Sequence, residues 1–185
     1  MKVELKKGQI LISEPFLPDP NFNRTVILIA EFSELGAVGY VLNHKTDFAV
    51  NLVMKELDFV YNTIYQGGPV ELDSFHYFHT YGHISNALHI KGNIYWGGNF
   101  EELTKGLKTG IYKDEDCMFF IGYSGWAPGQ LEEEMEEGSW IIADLADSLI
   151  INPPVEDKEL WREAIKTVEG DDALLYNSPP EPTLN

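Results

Sequence analysis

The chain has 185 residues, 44% of them hydrophobic, which bounds it to one domain with a substantial core or two small ones. Its 13 Lys and Arg stand against 30 Asp and Glu, a formal charge of −17. This disfavours direct contact with nucleic acid or an anionic membrane, surfaces that are held by cations. The opening MKVELKK lacks the apolar stretch of a secretion signal, no apolar run approaches the ~20 residues that span a bilayer, and Cys117 is the only cysteine, so an internal disulfide is excluded and a cytoplasmic setting is expected.

In chain order, residues 8–13 (GQILIS) read as a first strand. The following SEPFLPDPNFNRT carries three prolines and is a long turn, Pro presetting φ and the Asx side chains bonding nearby backbone at Asp19-Pro20-Asn21. TVILIAEF (25–32) is apolar at both alternating sets of positions, as in a strand covered on two sides. A short SELG links it to AVGYVLN (37–43), which predicts an antiparallel hairpin. AVNLVMKEL (49–57) has apolar residues at helical spacing, and TIYQGGPV (63–70) reads as a strand running into a glycine bend. Three short strands follow at 75–81, 86–90 and 93–98. Residues 99–110 form a helix between a capping Asn and a closing Gly, and 116–125 a buried strand entering a glycine-rich loop. PGQLEEEMEEG is a helix, SWIIADL begins as a strand, 145–151 is a short helix, and DKELWREAIKTV (157–168) is amphipathic with Leu160, Ile165 and Val168 inward. Strands in runs with helices after them indicate α+β, mainly antiparallel β-sheet with several flanking helices in a single domain over 1–170, followed by a loose tail at 171–185.

The stretch GYSGWAPGQLEEEMEEGSW (122–140) has the look of an active-site loop. A nucleophile elbow needs G-x-S-x-G, and here Trp126 sits where the second glycine belongs. A P-loop needs Lys after its last glycine, and instead Glu132, Glu133, Glu134, Glu136 and Glu137 follow, cancelling the positive potential that attracts phosphate. The favoured reading is packing, with Trp126, Leu131 and Met135 docking an acidic helix and the buried indole N–H needing a partner. The alternative is a ligand-lined or partner-binding loop that uses Tyr123, Trp126 and Gln130.

His76, His79 and His83 share an aromatic stretch that reads as strand, where His76 and His79 face opposite ways, so no metal site is expected. Cys117 opens the apolar run CMFFI beside Asp114, Glu115 and Asp116, a setting for a small core residue and against a reactive thiol. Gly67-Gly68-Pro69 is either a strand-to-strand bend or a pocket lining. Arg24 either ties its turn to carbonyls and carboxylates or binds a ligand carboxylate.

Three blocks carry a resemblance over about Gly8 to Thr167. The first is ISEPFLPDPNFNRTVILIAEFSELGAVGYVLNHKT, with Asp19, Pro20 and Phe22 before a strand and Gly39, Val41 and Asn43 at a strand end. The second is QGGPV, and the third is the 122–140 stretch. Together they are similar to the AlgH/YqgE family of bacterial proteins. HTYGHISNALHIKGN is shorter and more aromatic than that pattern, and the proline-rich tail departs from it. The resemblance implies a compact α+β domain on antiparallel sheet. Members are labelled candidate transcriptional regulators, without an established reaction, cofactor or DNA-binding motif, and no helix-turn-helix signature occurs here.

The leading expectation is a non-enzymatic, indirectly acting regulator that binds a protein partner or small ligand and needs no cofactor. Its candidate contacts are Asp19, Asn21 and Arg24 from the first turn, Asn43 from the strand end, Gly67, Gly68 and Pro69 from the bend, and Tyr123, Trp126 and Gln130 from the glycine-rich stretch. The alternative is an enzyme whose site forms where the 19–25, 66–70 and 122–130 segments converge. A third reading, direct DNA binding, requires the few lysines to cluster on one face.

Overall fold

The computed structural model describes residues 4–15, 17, 22–154 and 156–168. The Asp19-Pro20-Asn21 turn, the 170 boundary and the tail lie outside these described residues.

β-Branched and other apolar runs make the first strands, β1 (Ile10–Ser13), β2 (Val26–Ser33) and β3 (Gly36–Val41). β2 and β3 form the expected antiparallel hairpin, with Ser33 opposite Gly36. Next come β4 (Lys45–Ala49), a single-turn α1 (Val50–Val53), a 3₁₀ turn at Lys55–Leu57, and β5 (Thr63–Gln66). β6 (Val70–His79), β7 (Leu88–Lys91) and β8 (Ile94–Trp96) are the three strands expected there, with β8 lying between β6 and β7. α2 (Phe100–Lys108) starts at Asn99, whose side chain accepts from the Glu102 N–H. β9 (Cys117–Trp126), α3 (Gln130–Glu136), β10 (Trp140–Ala143), α4 (Asp147–Ile151) and α5 (Asp157–Ile165) complete the order.

The strands run β10-β1-β2-β3-β9-β6-β8-β7 across one open sheet. Every pairing is antiparallel except β5 on β9. β9 is where the sheet forks. Its far end, Ser124 to Trp126, pairs with β3, its near part, Phe119 to Ile121, pairs with β5, and β6 lines its other side.

Alternation along β2 and β9 sorts the core onto two faces. Leu28, Tyr40, Phe78 and Phe120 pack on one face beneath Ile150, Leu160 and Trp161 of α4 and α5. The opposite face divides. Ile27, Ile29, Trp126, Leu131 and Trp140 pack under α3, while Val50, Ile64, Leu103 and Phe119 pack under α1 and α2.

One expectation is corrected. Residues 49–57 are not one helix: Ala49 still pairs with Thr63, Val50 N donates to Asn62 O, and Asn51 N to Val60 O. Backbone groups committed across to the β5 side leave only one helical turn, and the apolar positions that suggested a helix, Leu52 and Val53, are exposed. The strand expected at 116–125 is present and runs one residue further, so Gly122 and Gly125 of the loop-like stretch lie inside β9. Its glycines are a feature of strand crossing, described next.

Candidate functional site

The two glycine motifs meet. After β5 the chain crosses over β9 to reach β6. At the crossing Gly67 N donates to Ile121 O at 2.9 Å, Gly67 O accepts from Val41 N at 2.9 Å, and it also accepts from Ser124 Oγ at 3.1 Å. A Cβ on Gly68 would lie 2.3 Å from the Tyr123 carbonyl, and one on Gly67 2.5 Å from Gly122 O. Gly122, at φ 65°, faces Gly68 O across the same contact. Backbone lies on backbone here, with no room for a side chain or a ligand. Pro69, one residue on, is exposed.

The third segment joins the same row. Asn43 is buried, and its Oδ1 accepts from Val26 N at 2.8 Å while its Nδ2 donates to Arg24 O at 2.9 Å. Both groups of the amide are thus used to hold Arg24 at φ 51°, a left-handed conformation. The guanidinium sits 5.8 Å from the centre of the Trp161 ring. Thr25 N donates to Ser13 Oγ at 2.9 Å, and Trp161 Nε1 donates to Ser13 O at 3.2 Å, which ties α5 to the sheet. Asp19 and Asn21 lie outside the described residues.

Trp126 is buried, at 7% exposure, and its indole partner is Glu134. Glu134 Oε2 accepts from Trp126 Nε1 at 2.9 Å and from Trp140 Nε1 at 2.7 Å, while Oε1 accepts from Gln130 Nε2 at 2.9 Å. Gln130 Oε1 in turn accepts from Ala127 N at 3.0 Å, so this exposed residue is occupied as an N-terminal latch of α3. Charge-assisted bonds of this kind hold α3 across the β9–β10 gap. Sequence reasoning asked for an indole partner and missed which of the glutamates supplies it. Trp126 and Trp140, bracketing the helix, were the available signal.

Space remains on one side of β9. A groove of about 380 Å³ runs between the β2–β3 turn and β9, lined by Leu35, Val38, Val70, Tyr123, Gly125 and Trp126, with Glu31 at its rim. Leu35 stands 87% exposed beside it, and Tyr123 is half-buried. Of the sequence candidates, half-buried Tyr123 and buried Trp126 line this groove, whereas Arg24, Asn43, Gly67 and Gly68 build the frame behind it.

The titratable groups nearby are spent on packing. His79 is fully buried: Nε2 donates to Gly97 O at 2.8 Å and Nδ1 accepts from Tyr81 N at 3.1 Å, which is the bonding of a neutral imidazole. Burial lowers its pKa, as it does that of half-buried His76. Those two histidines point to opposite faces, His76 toward Tyr40 and His79 toward Tyr77. Burial pushes the Tyr77 hydroxyl up to about 12 and raises the Tyr40 hydroxyl and the Cys117 thiol further, the acids Asp116 and Asp114 adding to the effect on Cys117. Ser124 Oγ is committed to Gly67 O. Among the described residues no group of three His, Cys, Asp or Glu is placed to hold a metal ion, and no helix is long and apolar enough to cross a membrane.

Fold and site thus define an antiparallel α+β domain whose motif residues lock a strand crossing and a tryptophan-clamped helix. The profile of the AlgH-like family, DUF179, matches residues 10–173, and the chain belongs to that family. A UPF0301 protein of Cytophaga hutchinsonii is 40% identical over 98% of this chain and 100% of its own length. Another, from Chlorobaculum tepidum, is 37% identical over 98% and 96%. The crystal structure of a Corynebacterium diphtheriae protein superposes with TM-score 0.77 at 25% identity, covering 94% of this chain and 93% of the other. The solution structure of the AlgH protein from Pseudomonas aeruginosa does so with TM-score 0.71 at 26% identity, covering 98% and 100%.

Proposed function

We propose that this chain is a non-enzymatic, cytoplasmic binding protein, and that any part it takes in transcription is indirect, through a protein partner or small ligand. The observation that carries this reading is the groove beside the motif strand. It is lined by Leu35, Tyr123 and Trp126, and it contains an exposed leucine at a turn, where solvent-facing apolar area marks contact surface. The net charge of −17 supports a contact other than DNA phosphate. The enzyme reading required the 66–70 and 122–130 segments to open a pocket, and their backbone-on-backbone contact lends it no support.

The test is affinity capture from native lysate, comparing the natural chain with Leu35→Glu, a change at a site too exposed to disturb folding. A reproducible protein or metabolite retained by the first and lost by the second is the expected result. Equal capture by both, or none by either, contradicts the reading.

A further inference from the structure

We propose that the outer edge of β6 accepts an extended, lysine- or arginine-bearing segment of a partner protein as an added strand; this rests on the binding-protein reading and names the partner's chemistry. β6 is ten residues long, yet β8 registers only with Phe78 and His79. The last rung is Gly97 N to Tyr77 O at 3.0 Å, after which the chain leaves through Gly97 and Gly98 into α2. In a strand the N–H and C=O of one residue point to the same side, and the side repeats every second residue. The backbone of Phe75 therefore faces outward like that of Tyr77, and among the described strands none registers with it there. An open rung of this kind is a template for another chain.

The ground beside that edge is shaped for side chains. A hollow of about 350 Å³ lies against it, lined by Met54, Phe75, His76, Tyr77, Trp96 and Phe100. Leu52 and Val53, directly before Met54, are 72% and 47% exposed, and Leu72 is 51% exposed. Strand addition works by this division of labour, main-chain bonds giving affinity and alternate side chains entering pockets. The irregular register between Val70 and Phe75 ends at Phe75, so regular pairing begins at the open residue. His76 connects the hollow to the groove described above, its ring meeting Tyr123 edge-on with centroids 5.9 Å apart.

Charge selects the occupant. Glu56, Asp73 and Glu101 are exposed within two residues of lining side chains, and Glu71 is near enough to raise the His76 pKa against the effect of burial. Lys55 is the one cation within two residues of a lining side chain. An edge with this balance attracts a basic segment and repels an acidic one.

The test is amide NMR and amide hydrogen exchange on the full chain, titrated with a short capped peptide of alternating Lys and Val. The comparison probes are a Glu-Val counterpart and an alternating Lys-Pro peptide of the same charge, whose prolines remove half of the strand donors. The Lys-Val peptide is expected to shift and protect the Phe75 amide. The other two should not, and joint Asp73→Lys and Glu101→Lys substitution should weaken binding about tenfold or more. Equal binding by the Lys-Pro peptide, changes centred away from β6, or no binding of the Lys-Val peptide would each overturn the proposal. Lysate capture that succeeds while this titration fails removes the edge and leaves the binding-protein reading, whereas failed capture removes that reading itself.

Discussion

Glu134 shows how a single side chain organises a segment that resembles an active site. Its two oxygens satisfy two buried indoles and one glutamine amide. Glu134→Ala strands both indole N–H groups and should cost about 1–3 kcal/mol, against less than about 0.5 kcal/mol for exposed Glu133→Ala, as measured by urea unfolding. Tyr40 is the opposite case. Its hydroxyl is buried and, among the described residues, makes no hydrogen bond of full geometry, so Tyr40→Phe should leave stability unchanged or raise it by up to about 1 kcal/mol in the same assay. His79 sets a pH dependence. Its folded pKa lies below the unfolded value of about 6.5, so the unfolded chain binds the extra proton as pH falls. The stability it contributes is complete above about pH 6.5 and is lost as pH falls through the folded pKa. Unfolding free energy should therefore drop between about pH 7.5 and about pH 5.5, and His79→Gln should flatten that slope.

Elements with strong periodicity and clear punctuation were legible. β2 and β3 follow from apolar runs joined by a short turn, α2 from its Asn99 cap, and the inward face of α5 from Leu160 and Ile165, both buried, with Val168 buried just past its end. The misread segment has a clear cause, which is that long-range pairing overrode a local pattern. Residues 49–57 carry helical spacing, but the bond of Val50 N to Asn62 O holds their start in a ladder. The strand over 116–125 was legible, but the reason for its loop-like glycines was not, because they answer to a crossing chain segment distant in sequence. Within the candidate site, the packing role of Trp126 and Leu131 was readable from the helix pattern. The fork of β9 and the open rung of β6 depend on which strands pair and were not readable. The crossing makes its own prediction. Gly68→Ala forces a Cβ into the Tyr123 carbonyl and should cost about 3 kcal/mol or more, whereas Gly129→Ala, with nothing within 4 Å, pays only about 1–2 kcal/mol for its left-handed φ. Thermal unfolding of the two variants checks the ranking.

At the scale of the whole molecule, charge and architecture support one account. The motif residues of this AlgH-like chain hold a forked sheet together, and the groove beside β9 and the hollow beside β6 have largely apolar linings with acidic neighbours. Lys91, Lys113 and Lys166 are each paired with a carboxylate, at 3.0, 3.3 and 2.6 Å, which weakens any positive face further. Association should therefore favour cationic or apolar partners over phosphate backbones. The measurement that tests this most directly is fluorescence anisotropy of labelled duplex DNA titrated with the full chain at physiological salt. The account predicts no complex tighter than non-specific contact, about micromolar or weaker. A tight complex whose affinity falls steeply with added salt would contradict it.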